Sequence, residues 1–158
     1  MLAEQESITS RLNDYEQQMR YEYIEGFEAL VAMLRSHGVR TAVVTSSNIP
    51  KMESVYRYQP GFKALFDAIL TSEDFDRSKP DPDCYLKAAQ RIEAQSSECI
   101  VFEDSFNGLR AGRAANMAVV GLATTNAEEA IRPLSDIQLK NYEGLTFERL
   151  QTLLSRAK

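Results

Sequence analysis

The chain has 158 residues, 44% of them hydrophobic and 26% charged, which is the make-up of one globular domain with a real core. A formal net charge of −5 speaks against a general nucleic-acid binder, because phosphate contacts need clustered Lys and Arg. No apolar run nears the roughly 20 residues of a membrane helix, and the polar, acidic opening "MLAEQESITS" does not read as a signal peptide.

Residues 4–20 read as a helix, with Ile8, Leu12, Tyr15 and Met19 at helical spacing. A break near residues 20–26 leads into a second helix carrying Phe27, Leu30, Val31 and Leu34, which Gly38 would end. His37, the one histidine, sits at that C-terminus, where partial positive charge is favourable, and leaves no His-rich metal site. The β-branched run over residues 41–44 predicts a strand. "IPKMESVYRY" follows as a helix, with Ser47 or Asn48 as N-cap and Pro50 in its first turn. "FDAILT" reads as a strand, and "KPDPDCYLKAAQRI" as a helix with Tyr85, Ala88, Ala89 and Ile92 on one face. Then come strand "CIVF", helix "SFNGLRAGRAAN", strand "MAVVGL", a helix from Asn126, a weak strand "DIQL" and a last helix holding Phe147, Leu150, Leu153 and Leu154. This alternation predicts an α/β fold: a mainly parallel, Rossmann-like sheet with helices on both faces. Cys84 and Cys99 lack CxxC spacing and read as reduced thiols of a cytoplasmic protein.

In such sheets ligands gather beyond the carboxyl ends of the strands. Three polar groups fall there. Thr45, Ser46 and Ser47 follow "TAVV", and hydroxyls with N–H groups at a helix N-terminus suit an anion such as phosphate; plain N-capping is the alternative. Lys79 lies between Ser78 and Pro80, before a helix, and offers a fixed charge to phosphate, or is simply a solvated lysine. Glu103 and Asp104 end "CIVF". Two carboxylates suit Mg²⁺, which prefers oxygen ligands, whereas an acidic helix start would answer the helix dipole. Together the three make a phosphate clamp with a metal site, the electrostatic equipment of phosphoryl transfer. No GxGxxG opens the sheet and no GxxxxGK[ST] occurs, so dinucleotide and P-loop readings lack support.

"AVVTSSN", "SKPDPDCY" and "VFEDSFNGLRAG" resemble the second, third and fourth motifs of the haloacid dehalogenase superfamily, most of all its β-phosphoglucomutase-like sugar-phosphate phosphatases. The resemblance covers about residues 22–155. It implies that Thr45 bonds the transferring phosphoryl group, with Ser46, Ser47 and Asn48 lining the same loop. It implies that Lys79 balances the charge of nucleophile and phosphate. It implies that Asp104 holds Mg²⁺, with Glu103 as a direct or water-mediated ligand. Gly108 and the small residues Ala111, Gly112, Ala114 and Ala115 would let the next helix approach the sheet closely. The expected partner is a small phosphorylated metabolite, with neither nucleic acid nor membrane.

The sequence departs from the family at its first motif, an apolar strand ending in DxDx[TV] whose first Asp becomes aspartyl-phosphate. No such strand precedes Thr45, and "DFD" at residues 74–76 follows "TSE" without an apolar run. Residues 1–20 then read as a remnant of the family's helical cap, and residues 21–158 as the core without its central first strand. Removing that strand would set "TAVV" and "CIVF" about 9.6 Å apart, unless they close up. Two readings follow: the C-terminal part of a Mg²⁺-dependent sugar-phosphate phosphatase or mutase, inactive alone, or a non-catalytic relative that binds a phosphate ligand or a partner chain. Strand-completing self-association is the further partner expectation. A receiver-like signalling domain would place its acidic pair before Thr and Lys, the reverse of the order here.

Overall fold

The computed structural model describes residues 22–157. The helix expected over residues 4–20, and with it the cap remnant, lies outside them.

Helix α1 (Phe27–Ser36) leads into β1 (Ala42–Val44), α2 (Ile49–Tyr58), β2 (Ala68–Leu70), α3 (Asp83–Arg91) and β3 (Ile100–Glu103). Then follow α4 (Phe106–Ala114), β4 (Ala118–Leu122), α5 (Glu128–Ile131), β5 (Ile137–Leu139) and α6 (Phe147–Arg156). The helix boundaries have local causes. Asn48 accepts the Lys51 N–H at 3.1 Å to start α2, beside Pro50. Ser105 accepts the Gly108 N–H at 3.0 Å to start α4, and Thr146 accepts the Arg149 N–H at 3.2 Å to start α6. Gly38, at φ 68°, closes α1 as expected. Two details differ from the sequence reading. Helix α5 begins at Glu128 after Ala127, two residues beyond the Asn126 start expected from the sequence. Thr41 stays outside β1, although its carbonyl accepts the Asp67 and Ala68 N–H groups.

All strand pairs are parallel. They form two sheets, β1–β2 and β3–β4–β5. No ladder joins β1 to β3 among the described residues. Of the two arrangements expected for a sheet without its central strand, closure of β1 onto β3 is not the one these described residues adopt.

Helices cover both faces of the larger sheet because alternate residues of β4 point to opposite sides. Val119 packs with Leu109 of α4 and Ile131 of α5. Ala118 and Val120 pack with Leu153 of α6. On the α3–α4 face, Tyr85, Val101 and Ala111 share a core against which Val44 packs, so side chains tie β1 to the larger sheet where hydrogen bonds do not. Opposite it lie Phe27, Tyr142 and Phe102, with centroids 5.9 Å and 5.7 Å apart along the chain of rings. Gly112 lets α4 come close: a Cβ there would stand 3.0 Å from Val119 Cγ2. Ala111 and Ala115 are buried beside it, whereas Ala114 faces solvent and takes no part in that approach.

Candidate active site

The carboxyl ends of β1 and β3 border a cleft of about 420 Å³, whose polar lining is Thr45, Ser46, Lys79, Glu103, Asp104 and Ser105 among apolar neighbours such as Ile24. The structure therefore brings Thr45, Ser46, Lys79, Glu103 and Asp104 together. Ser47 and Asn48 are not among the lining residues. Ser47 gives its N–H to Thr45 Oγ1 at 3.0 Å and its carbonyl to the Ser72 N–H, while Asn48 is occupied as the cap of α2. The N-terminus of α2 also meets a carboxylate already, since Ile49 N–H donates to Glu73 Oε1 at 3.4 Å. Of the hydroxyl and ammonium groups expected at this edge, Thr45, Ser46 and Lys79 line the cleft, whereas the N-terminus of α2 faces Glu73.

Lys79 is no solvated lysine. Its side chain and that of Glu103 are each only 11% exposed, and Nζ lies 2.9 Å from Glu103 Oε2. Nζ also donates to the Val44 carbonyl at 3.4 Å and sits 5.0 Å from the centre of the Tyr85 ring. Five donors converge on Glu103. Oε2 accepts from Lys79 and, at 2.7 Å, from the Tyr85 hydroxyl. Oε1 accepts from the Asp104 and Ser105 N–H groups and from Ser105 Oγ at 3.0 Å. Burial pushes the Glu103 carboxyl up, but the Lys79 charge and the hydrogen bonds prevail and bring it down to about 2. Gly108 is the floor of this arrangement, because a Cβ there would overlap the Glu103 carboxylate. Its smallness therefore serves Glu103 as well as helix packing.

Asp104 has different neighbours. Its Oδ2 accepts from Thr125 Oγ1 at 2.7 Å and Thr124 Oγ1 at 3.3 Å, and Asn126 Nδ2 holds its carbonyl at 3.1 Å. The sequence reading gave Thr124 and Thr125 no role and took Asn126 only as a helix start. Their signal was present: "ATTN" is a polar run directly after a β-branched strand, like "TSSN" after "TAVV". The rejected "DFD" is a turn element, in which Asp74 Oδ2 accepts the Thr71 N–H at 2.7 Å.

A hard cation fits this donor set in part. Mg²⁺ takes one or two carboxylates and fills its octahedron with waters and phosphate oxygens. Asp104, partly exposed in the cleft and held from behind by Thr125, suits one such position. Glu103 is already saturated by protein donors. The described residues hold no group of three His, Cys, Asp or Glu placed to grip a metal by themselves.

A family model described as haloacid dehalogenase-like hydrolase matches residues 4–116, more than half of the sequence. The chain belongs to this family. Among curated relatives, it is 34% identical over 127 residues to the bifunctional riboflavin kinase/FMN phosphatase of Arabidopsis thaliana, covering 75% of this chain and 34% of that protein. It is 35% identical over 118 residues to the validoxylamine A 7'-phosphate phosphatase of Streptomyces hygroscopicus subsp. limoneus, covering 75% and 54%. The fold matches a family IA, variant 3 hydrolase from Entamoeba histolytica with a TM-score of 0.86 at 21% identity, over 96% of this chain and 70% of that one. It matches the β-phosphoglucomutase of Clostridium difficile with a TM-score of 0.72 at 22% identity, over 84% and 56%. The chain thus has the Rossmann-like α/β fold of haloacid dehalogenase-like hydrolases, with β-phosphoglucomutase among its structural neighbours. It spans about a third to a half of these two curated relatives. Among the described residues no helix is long and apolar enough to cross a membrane.

Proposed function

We propose that this chain supplies the phosphate- and cation-binding half of a Mg²⁺-dependent hydrolase of small phosphate esters such as sugar phosphates. The observation that supports it is the convergence of the Thr45 hydroxyl, the Lys79 ammonium and the Asp104 carboxylate on one cleft at the strand ends. In this reading Thr45 and Ser46 hydrogen-bond the phosphoryl oxygens, and Lys79 offsets their charge. Asp104 holds Mg²⁺, which would supply electrostatic stabilisation of the transferring group. The relatives named as phosphatases of FMN, validoxylamine A 7'-phosphate and fructose 1-phosphate favour phosphate monoesters as the substrate class.

Among the described residues, Glu103 and Asp104 are the only carboxylates of the cleft lining. Lys79 faces Glu103, and five donors hold that carboxylate away from attack. The 158 residues alone are therefore inactive in this account, and the nucleophile arrives on a strand that enters between β1 and β3. A second copy of the chain pairing along these open edges is the form of self-association this predicts. Phosphate release from fructose 1-phosphate with Mg²⁺, assayed alongside sedimentation of the same sample, tests both points. No turnover, with a mass that rises with concentration, is expected. Mg²⁺-dependent turnover abolished by Lys79→Ala would overturn the inactive reading, and a monomer at all concentrations would overturn the pairing.

The split sheet also favours a second reading, in which the chain is cytoplasmic and binds phosphorylated ligands or a partner without catalysis. Binding without turnover, even when a strand carrying the family's first motif is added, distinguishes it.

A further inference from the structure

Tyr85 stands apart from the residues so far given a role. It lies in the first turn of α3, is only 7% exposed, and belongs to the core that joins α3 to β3 and α4. A phenylalanine would fill that core equally well. The hydroxyl is therefore the part that packing does not explain. It donates to Glu103 Oε2 at 2.7 Å, the same oxygen that receives Lys79 Nζ at 2.9 Å. The face of the same ring lies near the ammonium, with Nζ 5.0 Å from its centre.

We propose that Tyr85 is a positioning residue for Lys79: its hydroxyl fixes the carboxylate that anchors the ammonium, and its ring borders the ammonium, so that Nζ stays at the cleft. This rests on the phosphate-site reading above.

The geometry explains why one residue does both. Lys carries four rotatable side-chain bonds and three donors, so a single ion pair leaves its head free to swing about the carboxylate. Three contacts restrict it here: Glu103 Oε2, the Val44 carbonyl and the ring face. Glu103 can act as a fixed post only if its own torsions are fixed. Ser105 and two backbone N–H groups hold Oε1, and the Tyr85 hydroxyl holds Oε2. Removing that hydroxyl leaves Oε2 with Lys79 alone. The carboxylate is then anchored at Oε1 only, so Oε2 shifts with the lysine and the ammonium spreads over more positions. Burial, and then the charge of Glu103, raise the Tyr85 phenol well above its ordinary value, so the hydroxyl remains a donor throughout the working range.

The variant that isolates this role is Tyr85→Phe, which keeps the ring and its packing. Inorganic phosphate is titrated into the wild-type chain, Tyr85→Phe, Lys79→Ala and the double variant, with urea midpoints measured on each. The ammonium resonance of Lys79, assigned by its loss in Lys79→Ala, is followed in parallel. Tyr85→Phe is expected to weaken phosphate binding by about fivefold, the equivalent of one ordinary hydrogen bond. The urea midpoint should fall while the chain stays folded, because a buried hydrogen bond to a charged group is lost; the Lys79 resonance should broaden, and the double variant should bind no more weakly than Lys79→Ala. Unchanged binding and an unchanged Lys79 resonance in Tyr85→Phe overturn the proposal while leaving the phosphate site standing. An equal further loss on the Lys79→Ala background also overturns it, since the effect would not run through Lys79. A folded wild-type chain that binds no phosphate overturns the site reading and this assignment together.

Discussion

Glu103 and Asp104 are adjacent, chemically alike, and set in different environments. Chain direction separates them, because β3 ends at Glu103 and the backbone turns at Asp104 into the cap of α4. Glu103 points back under Lys79 and Tyr85, and Asp104 meets the threonines of the β4–α5 loop. The first is a buried, fully partnered ion, the kind whose disruption is costly because the surviving charge is stranded. Its pH dependence follows. The folded-state pKa of about 2 lies below the ordinary 4.5, so the stabilisation is present above about pH 4.5 and fades as pH falls toward 2. Glu103→Gln should be less stable than wild type at pH 7 by on the order of 3 kcal/mol, a gap that shrinks steadily below pH 4.5. Urea denaturation at pH 7, 4 and 3 measures it, and a gap that stays constant across that range would contradict the ion-pair account.

At the scale of elements, most of the fold was legible because local signals and tertiary demands agree. The β-branched run before Thr45 and the apolar run before Glu103 became strands, and the spacing of Tyr85, Ala88 and Ala89 became the buried face of α3. The helix expected from Asn126 starts only at Glu128, and the Asn126 side chain instead donates to the Asp104 carbonyl in the loop before it. Ala114 misled because small size marks a close approach only on the face that meets the sheet, and Ala114 lies off that face. The sequence could not reveal that Glu103 is saturated, since Tyr85 and Lys79 reach it from 18 and 24 residues away. The glycine of α4 that does meet the sheet gives a direct test. A Cβ at Gly112 would lie 3.0 Å from Val119 Cγ2 and 3.3 Å from Val101 Cβ. Gly112→Val should therefore push α4 outward and destabilise by about 1–3 kcal/mol, despite a modest gain in helix propensity. An unchanged urea midpoint would mean that α4 does not sit against β3 and β4 in this way.

The whole molecule is organised around the cleft between its two sheets. Parallel sheets are normally buried on both faces and paired throughout, because unpaired backbone groups beside a core are costly. Among the described residues β1 and β3 each pair on one side only, and the candidate site residues line the cleft at their carboxyl ends. Helix α3, the Lys79–Glu103 pair and the packing of Val44 hold the halves in register. The account thus separates two capacities. In the proposed function, binding a phosphate ester needs only the groups that line the cleft, whereas turnover needs a carboxylate brought in on a further strand. The deciding measurement is a calorimetric titration of the folded chain with fructose 1-phosphate, with and without Mg²⁺, repeated on Lys79→Ala and Asp104→Asn. The account predicts saturable binding by the wild-type chain, a loss of at least tenfold in Lys79→Ala, and loss of the Mg²⁺ dependence in Asp104→Asn, about 1.4 kcal/mol or more for each tenfold step. A folded wild-type chain that takes up no ligand, or binding indifferent to both substitutions, would contradict it.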